Sequence, residues 1–486
     1  MLFNSYIFVM LFLPLSIIGF FILNKLKSPV WAHVFLLGMS LWFYGYFNKK
    51  YLLLIIFSVL FNYTAYRILL GNVNKKINSI VLAMAVLFNL SLLFVFKYYN
   101  FFIENINLIF QKNLPLHHLL LPLGISFFTF QQISFIIDTY QGQVEKHDLC
   151  TYALFVTYFP QLIAGPIVTH DELIPQFKDQ TRRQVDWHHI AQGSYLFVLG
   201  LAKKVLIADT FGNIVNWGYD NLSVLDSTNA VVVMLSYTIQ IYFDFSGYSD
   251  MAIGIAKMMN IDLPLNFNSP YKSLTITEFW DRWHMTLTRF FTKYVYIPLG
   301  GNRKGTVRTY VNLLIVFLIS GFWHGANWTF IIWGGLHGLF CILVRSQKKF
   351  VDKIHPILNW LITFIFVNFT WVIFRADSVA DARKMFMAVF TLKFHEINEN
   401  IISCFRLPEV VWVFEKIHLN VWMWNKYILL FPIFAGVFFS ILKSGNAYER
   451  MQNFEATLRK SITTALLLIW CIFSFSGIST FLYFNF

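Results

Sequence analysis

The sequence predicts an all-α, polytopic membrane protein of about eleven transmembrane helices. Three observations carry that prediction. Of the 486 residues, 57% are hydrophobic and only 13% charged, where a soluble domain carries about 25% charge. The mean hydropathy is +0.57. Apolar runs long enough to cross a ~30 Å hydrocarbon core recur at 5–23, 30–46, 51–70, 78–96, 119–140, 151–168, 188–208, 230–247, 310–344, 355–374, 427–443 and 461–484.

The first run follows an N-terminus without basic side chains and precedes no small-x-small cleavage pattern, so it reads as a retained helix rather than a removable signal. Four cysteines, Cys150, Cys341, Cys404 and Cys471, lack paired spacing and suggest neither a disulfide framework nor a zinc site. Lys and Arg exceed Asp and Glu by 13. In a membrane protein that excess records orientation rather than nucleic-acid binding, because basic residues collect in cytoplasmic loops. Lys25/Lys27, Lys75/Lys76, Lys178/Arg182/Arg183, Arg303/Lys304/Arg308, Arg345/Lys348/Lys349/Lys353 and Lys443/Arg450/Arg459/Lys460 are therefore expected inside and the N-terminus outside; Lys49/Lys50, after the second run, fits that scheme poorly. No linker, low-complexity tract or fixed-period repeat divides the chain, which reads as one membrane domain, 1–486. The long polar excursion 391–426 is expected outside.

The informative region is 242–338. "TITEFWDRWHMTLTRFFTKYVYIPLGGNRKG" predicts an amphipathic helix, started by a capping box of Thr275 and Glu278, with Trp280, Trp283, Leu287, Phe290 and Tyr294 on its apolar stripe. Such a helix lies at the interface or lines a polar cavity. A continuous helix over 310–344 would be roughly 50 Å long at ~1.5 Å per residue, too long for one crossing. Basic loops at both ends also demand an even number of crossings, so the run is predicted to fold as a hairpin broken at Gly325-Ala326-Asn327. His324 then sits at its tip.

An ionisable group inside a membrane domain is costly and points to function. An imidazole at such a tip can accept a proton from a hydroxyl and return it to a leaving group, which is what acyl transfer to an alcohol requires. His337 stands one turn from Cys341; a structural histidine hydrogen-bonded between helices is favoured over a nucleophilic pair. His284 lies near Asp281 and Thr288, where an interfacial role is favoured on the residues alone. His117/His118 and His188/His189 adjoin run ends and read as solvated pairs, and no metal site is predicted. "YFDFSGYSD" places Asp244, Ser246, Tyr248 and Asp250 at the end of an apolar run. Two readings stand for it: the lining of a water-filled path, or a helix leaving the membrane. "GGNRKG" lacks the Lys-Ser/Thr ending of a P-loop, and Arg303 within it suits either the phosphates of a cytosolic cofactor or a positive-inside loop.

These motifs, in order "YFDFSGYSDMAIGIAKMM", "FNSPYKSLTITEFWDRWHMTLTRFFTKYVYIPLGGNR", "GFWHGANWTFIIWGGLHG" and "VIFRADS", closely resemble the membrane-bound O-acyltransferase superfamily, in the branch of the alginate O-acetyltransferase membrane subunit. "MLFNSYIFVMLFLPL" and "FPQLIAGPI" extend the resemblance over nearly the whole chain. The resemblance implies a helical fold with re-entrant and interfacial pieces around a central funnel. Its invariant histidine falls on His324 and a second on His284, as the catalytic pair. Asp281 and Arg282 stand where many relatives have two basic residues, so this chain has an acidic residue at 281 in place of a basic one. Candidates for the substrate or cofactor path are Asp244, Ser246, Tyr248, Asp250, Arg282, Trp283, Arg303, Asn327 and Trp328. The resemblance further implies acetyl-CoA as donor substrate with no resident cofactor, a bacterial cytoplasmic membrane, a polysaccharide acceptor and an extracytoplasmic hydrolase-like acetyltransferase partner. D-alanyl transfer from a carrier protein to teichoic acid is the nearest rival. A polysaccharide transporter, expected to show repeat symmetry and paired broken helices, is the rival from another class.

Overall fold

The computed structural model describes all residues except 27, 29, 72, 73, 407, 419–425, 476–480 and 483–486; the Lys27 position and part of the 391–426 excursion therefore lie outside the described residues. Among the described residues the chain is helical, with one isolated antiparallel bridge between Phe267 and Trp283. The principal helices are α1 (Phe8–Asn24), α2 (Val30–Gly45), α3 (Lys49–Gly71), α4 (Lys75–Phe110), α5 (Ile125–Tyr140), α6 (Leu149–Thr157), α7 (Trp187–Asp220), α8 (Ser227–Met258), α9 (Ile276–Arg282), α10 (Met285–Phe291), α11 (Thr306–His324), α12 (Trp328–Ser346), α13 (Pro356–Arg375), α14 (Val379–Phe390), α15 (Leu430–Leu442) and α16 (Leu458–Phe473). Among the described residues, seven of them (α3, α4, α7, α8, α11, α12 and α13) are long and apolar enough to cross a membrane, and α1, α2 and α15 are shorter apolar helices. The chain is a multi-pass membrane protein.

Several apolar runs change character in three dimensions. The run 119–140 becomes an extended approach and a 16-residue α5 that is almost wholly buried. At ~1.5 Å per residue α5 is roughly 24 Å long, and other helices rather than lipid surround it. The run 151–168 breaks after nine residues of α6, at Tyr158, and resumes for the single turn Phe159–Leu162 with a proline in its first turn. Hydropathy cannot distinguish a segment buried in protein from one facing lipid. The run ending at 247 continues as a 32-residue helix to Met258, so Asp244 to Asp250 are interior to α8 and do not mark its exit.

Helices α7 and α8 form the central antiparallel pair. A Cβ on Gly200 would stand 2.6 Å from the Gly247 carbonyl oxygen, so only glycine lets these backbones approach so closely. The contact brings Lys203 Nζ to 2.6 Å from Asp250 Oδ2, and Lys204 Nζ to 2.7 Å from both Asp244 Oδ1 and Asp209 Oδ1.

The basic loops share one end of the molecule. α11 leaves the 300–305 loop and α12 returns to the loop opening at Gln347. Gln192, near the start of α7, donates to Met451 O, and Arg182 pairs with Asp262 just past the end of α8. At the other end, Tyr219 OH donates to Val372 O (3.1 Å), and Ser227 N donates to Lys393 O (3.0 Å). The chain from 391 to 398 therefore lies opposite the 300–305 and 347–353 loops. The Met1 amine donates to Phe43 O at 3.0 Å, and Lys49 and Lys50 start α3 beside Tyr51, whose hydroxyl donates to Leu120 O next to the cleft at that opposite end. This accounts for the poor fit of that lysine pair with the other basic clusters.

Candidate active site

The 310–344 run is a hairpin broken where small residues and Asn permit it. α11 ends at His324, Gly325 is extended, and Asn327 caps α12 by accepting from Thr329 N at 3.1 Å. The two helices touch through glycine: a Cβ on Gly321 would lie 2.3 Å from Phe330 O, and one on Gly334 2.3 Å from Phe317 O. This close pairing seats the buried His324 ring among Trp323, Trp333 and Phe374, with centroids at 5.0, 5.2 and 5.3 Å.

His284 does not lie on a continuous amphipathic helix. α9 stops at Arg282, Trp283 is extended and bridges Phe267, and His284 adopts φ +46° before α10 begins. A left-handed conformation is unfavourable for a residue with a Cβ and persists only where surroundings enforce it. Here the enforcing residue is Asn266, whose carbonyl oxygen accepts from Met285 N (3.0 Å) and whose Oδ1 accepts from Thr286 N (3.3 Å) and Thr286 Oγ1 (2.9 Å). The predicted capping box forms only in half. Thr275 Oγ1 accepts from Glu278 N, while Glu278 Oε2 takes Leu274 N, one residue early.

The break buries His284 completely and brings its ring centroid to 6.5 Å from that of His324. Because a backbone N–H can only donate, the Asn266 atom facing Thr286 N is the oxygen. His284 Nδ1, 3.1 Å from the same oxygen, must therefore carry the ring proton, and Nε2 is the lone-pair nitrogen. Ile167 N donates to Thr286 Oγ1 at 3.0 Å and extends the network into the "GPIV" turn.

His324 lines a chamber of about 20 Å³ with Lys97, Leu123, Ser126, Phe127 and Trp323. Beyond it lies a cleft of about 510 Å³, lined by Lys97, Asn216, Asn327, Phe330, Arg375 and Asp377 among others, at the end of the molecule away from the basic loops. Lys97 and Leu121 line both spaces. Reading the 78–96 run as a complete span hid Lys97, which sits inside the 36-residue α4, in a π-helical turn, Phe94–Tyr98. The missed signal was a lone Lys between two apolar stretches.

The membrane-bound O-acyltransferase family model matches residues 36–380. The chain belongs to that family. It is similar to the peptidoglycan O-acetyltransferase of Helicobacter pylori, at 41% identity over all of this chain and 98% of that protein. It is also similar to a Pseudomonas aeruginosa protein described as "Probable alginate O-acetylase AlgI", at 40% over 82% of this chain and 76% of that one. Similarity to the teichoic acid D-alanyltransferase of Streptococcus thermophilus is 29%, over 48% of this chain and 59% of that one.

In this acyltransferase the other candidates divide by place. Asn327 lines the cleft and donates to Asp377 O at 2.8 Å; Trp328 is half-exposed beside it and donates to Asn105 Oδ1 at 3.0 Å. Trp283 packs in an aromatic cluster with Phe279, Phe267 and Trp371. Arg282 turns away to Glu278 and Asn268 O. Exposed Arg303 lies past the far end of α11 from His324, roughly 28 Å off at ~1.5 Å per residue over that helix. Asp244 and Asp250 are held by Lys204 and Lys203. Ser246 accepts a long bond from Lys203 (3.4 Å), and Tyr248 stacks on Phe3 with centroids at 4.7 Å.

His337 belongs to the scaffold. Trp280 Nε1 donates to its Nδ1 (3.2 Å), so Nε2 carries the proton and donates to Thr370 Oγ1 (2.9 Å). With both nitrogens committed, none serves Cys341. His337→Gln, which keeps a donor and an acceptor, is expected to retain substantial acyl-transfer activity at matched expression, as measured by turnover of the purified variant. His189 Nδ1 faces Asn260 Oδ1 at 3.0 Å, and His117 packs edge-on against Tyr99. Among the described residues no group of three or more His, Cys, Asp and Glu is arranged to hold a metal.

Proposed function

We propose that this acyltransferase carries acetyl from cytosolic acetyl-CoA across the bacterial cytoplasmic membrane for O-acetylation of an extracytoplasmic polysaccharide, peptidoglycan or an alginate-like exopolysaccharide. The observation that carries the reading is the pair of buried histidines, 6.5 Å apart between centroids, of which His324 lines a chamber that adjoins the cleft. In this reading His324 is the general base. The acceptor oxygen attacks the thioester carbonyl as its proton passes to His324, and the tetrahedral intermediate collapses with that proton returned to the departing thiolate. His284, its proton fixed on Nδ1 by Asn266, orients or polarises the reacting groups.

The positive-inside rule puts the shared basic end in the cytoplasm, where Arg303 and its neighbours meet an anionic donor, and puts the N-terminus, the cleft and 391–398 outside. The names of the relatives support a saccharide acceptor, and the similarity over the full chain favours peptidoglycan. The resemblance to the alginate O-acetyltransferase branch supports an extracytoplasmic hydrolase-like acetyltransferase that completes transfer to polymer. Family membership favours acyl transfer over the transporter reading.

The D-alanyl reading draws on a relative matched over about half of this chain, and donor identity separates the two. Purified protein is given labelled acetyl-CoA and, in parallel, labelled D-alanyl carrier protein. Release of CoA with capture of label from acetyl-CoA alone is expected, and transfer from the carrier alone would overturn the proposal.

A further inference from the structure

Three lysines lie inside the long apolar helices α4 and α7, and they are treated differently. Lys203 and Lys204 are each neutralised by aspartate at 2.6 to 2.7 Å. Among the described residues no carboxylate lies within ion-pair distance of Lys97. Its Nζ donates to Trp323 O at 2.6 Å and, at 3.4 Å, to Ser126 Oγ. The ammonium also stands 5.7 Å from the centroid of the Trp323 ring. A cation in a membrane helix without a counter-ion is expensive to keep.

Part of its role is structural. Trp323 O is among the last carbonyls of α11, which have no intrahelical donor, and a cation there complements the helix dipole. A neutral donor would satisfy the same oxygen, so capping alone does not explain the charge. The local backbone is π-helical, as it is in three further turns among the described residues. The π-helical turn, in which Tyr99 N reaches Phe94 O, inserts an extra residue into α4, a feature concentrated at functional sites. It delivers Lys97 to the boundary shared by the His324 chamber and the cleft.

We infer that Lys97 is a further catalytic residue of this acyltransferase, its ammonium stabilising the negative charge that develops on the acyl carbonyl oxygen while His324 holds the acceptor proton. The inference rests on the reading of His324 as base. Lys97 neither gains nor loses a proton in the step. Two of its three N–H groups hold Trp323 O and Ser126 Oγ, and the third meets the oxyanion as the acceptor oxygen bonds to carbon; charge on Lys97 balances the alkoxide until the thiolate departs. Fixed donors of this kind contribute most where charge appears in a water-excluded site.

The test compares Lys97→Gln, Lys97→Met and Lys97→Arg with wild type and His324→Gln, in detergent-purified full-length protein. Acetyl transfer from acetyl-CoA, donor affinity and thermal unfolding are all measured. Glutamine keeps a donor for Trp323 O and removes the charge. Expected are a fall of about 10²-fold in kcat for Lys97→Gln and Lys97→Met, donor KM within about twofold of wild type, unchanged unfolding for Lys97→Gln, and partial recovery in Lys97→Arg. Wild-type kcat in Lys97→Gln, or losses that follow the folded fraction across all three variants, would overturn the inference and leave Lys97 as a cap of α11. An active His324→Gln would instead overturn the reading of the base, so the two failures are distinguishable.

Discussion

His324→Ala is expected to lower acetyl transfer by roughly 10² to 10⁴-fold, the contribution of a positioned general base, while the protein still inserts and accumulates. The ring is buried among Trp323, Trp333 and Phe374, so truncation opens a cavity. The hairpin is held elsewhere, by the Gly321–Gly334 contact and the Asn327 cap. His284→Ala is expected to impair turnover strongly but less completely, because the role proposed for it is orienting or polarising. Initial rates at matched folded protein, with CoA release as readout, check both. Wild-type turnover by His324→Ala would refute the assignment of the base.

The second large effect concerns stability. Asp250→Leu leaves the part-buried Lys203 ammonium opposite an alkyl group; breaking a fully buried pair from one side costs about 3 to 5 kcal/mol, and the loss here is expected toward the lower end of that range. The variant is expected to accumulate poorly and to unfold at clearly lower temperature in detergent. Asp250→Leu combined with Lys203→Met removes both charges, and replacing a whole buried pair by apolar groups is often neutral. The double variant is therefore expected to recover most of the lost stability. If Asp250→Leu folds as well as wild type yet loses turnover, the carboxylate serves a substrate path and not the α7–α8 packing.

The hairpin was legible because length and charge left no other solution: 310–344 is too long for one crossing and basic loops flank both ends. His324 followed from the position of the break. The break at His284 had no such local sign, because Asn266, 18 residues earlier, holds it, and the amphipathic stripe continues through it undisturbed. The segments that became α5 and α6 read as spans since hydropathy records apolarity and not whether the neighbour is lipid or protein. For Asp244 and Asp250, both readings overlooked the partners, Lys204 and Lys203, which lie in another run 40 and 47 positions away. Lys97 was passed over as a boundary residue because the π-helical turn that keeps it inside α4 leaves no mark in apolar periodicity.

The central claim is that acetyl enters at the basic end and leaves through the His324 chamber toward the cleft. Proteoliposomes of fixed orientation test it most directly, with labelled acetyl-CoA supplied to one face and a polysaccharide acceptor plus the extracytoplasmic transferase enclosed on the other. Label is expected on the acceptor only when acetyl-CoA meets the face carrying the 300–308 and 345–353 loops, and not with His324→Gln. Equal labelling with acetyl-CoA supplied to the cleft face, or undiminished labelling by His324→Gln, would contradict it.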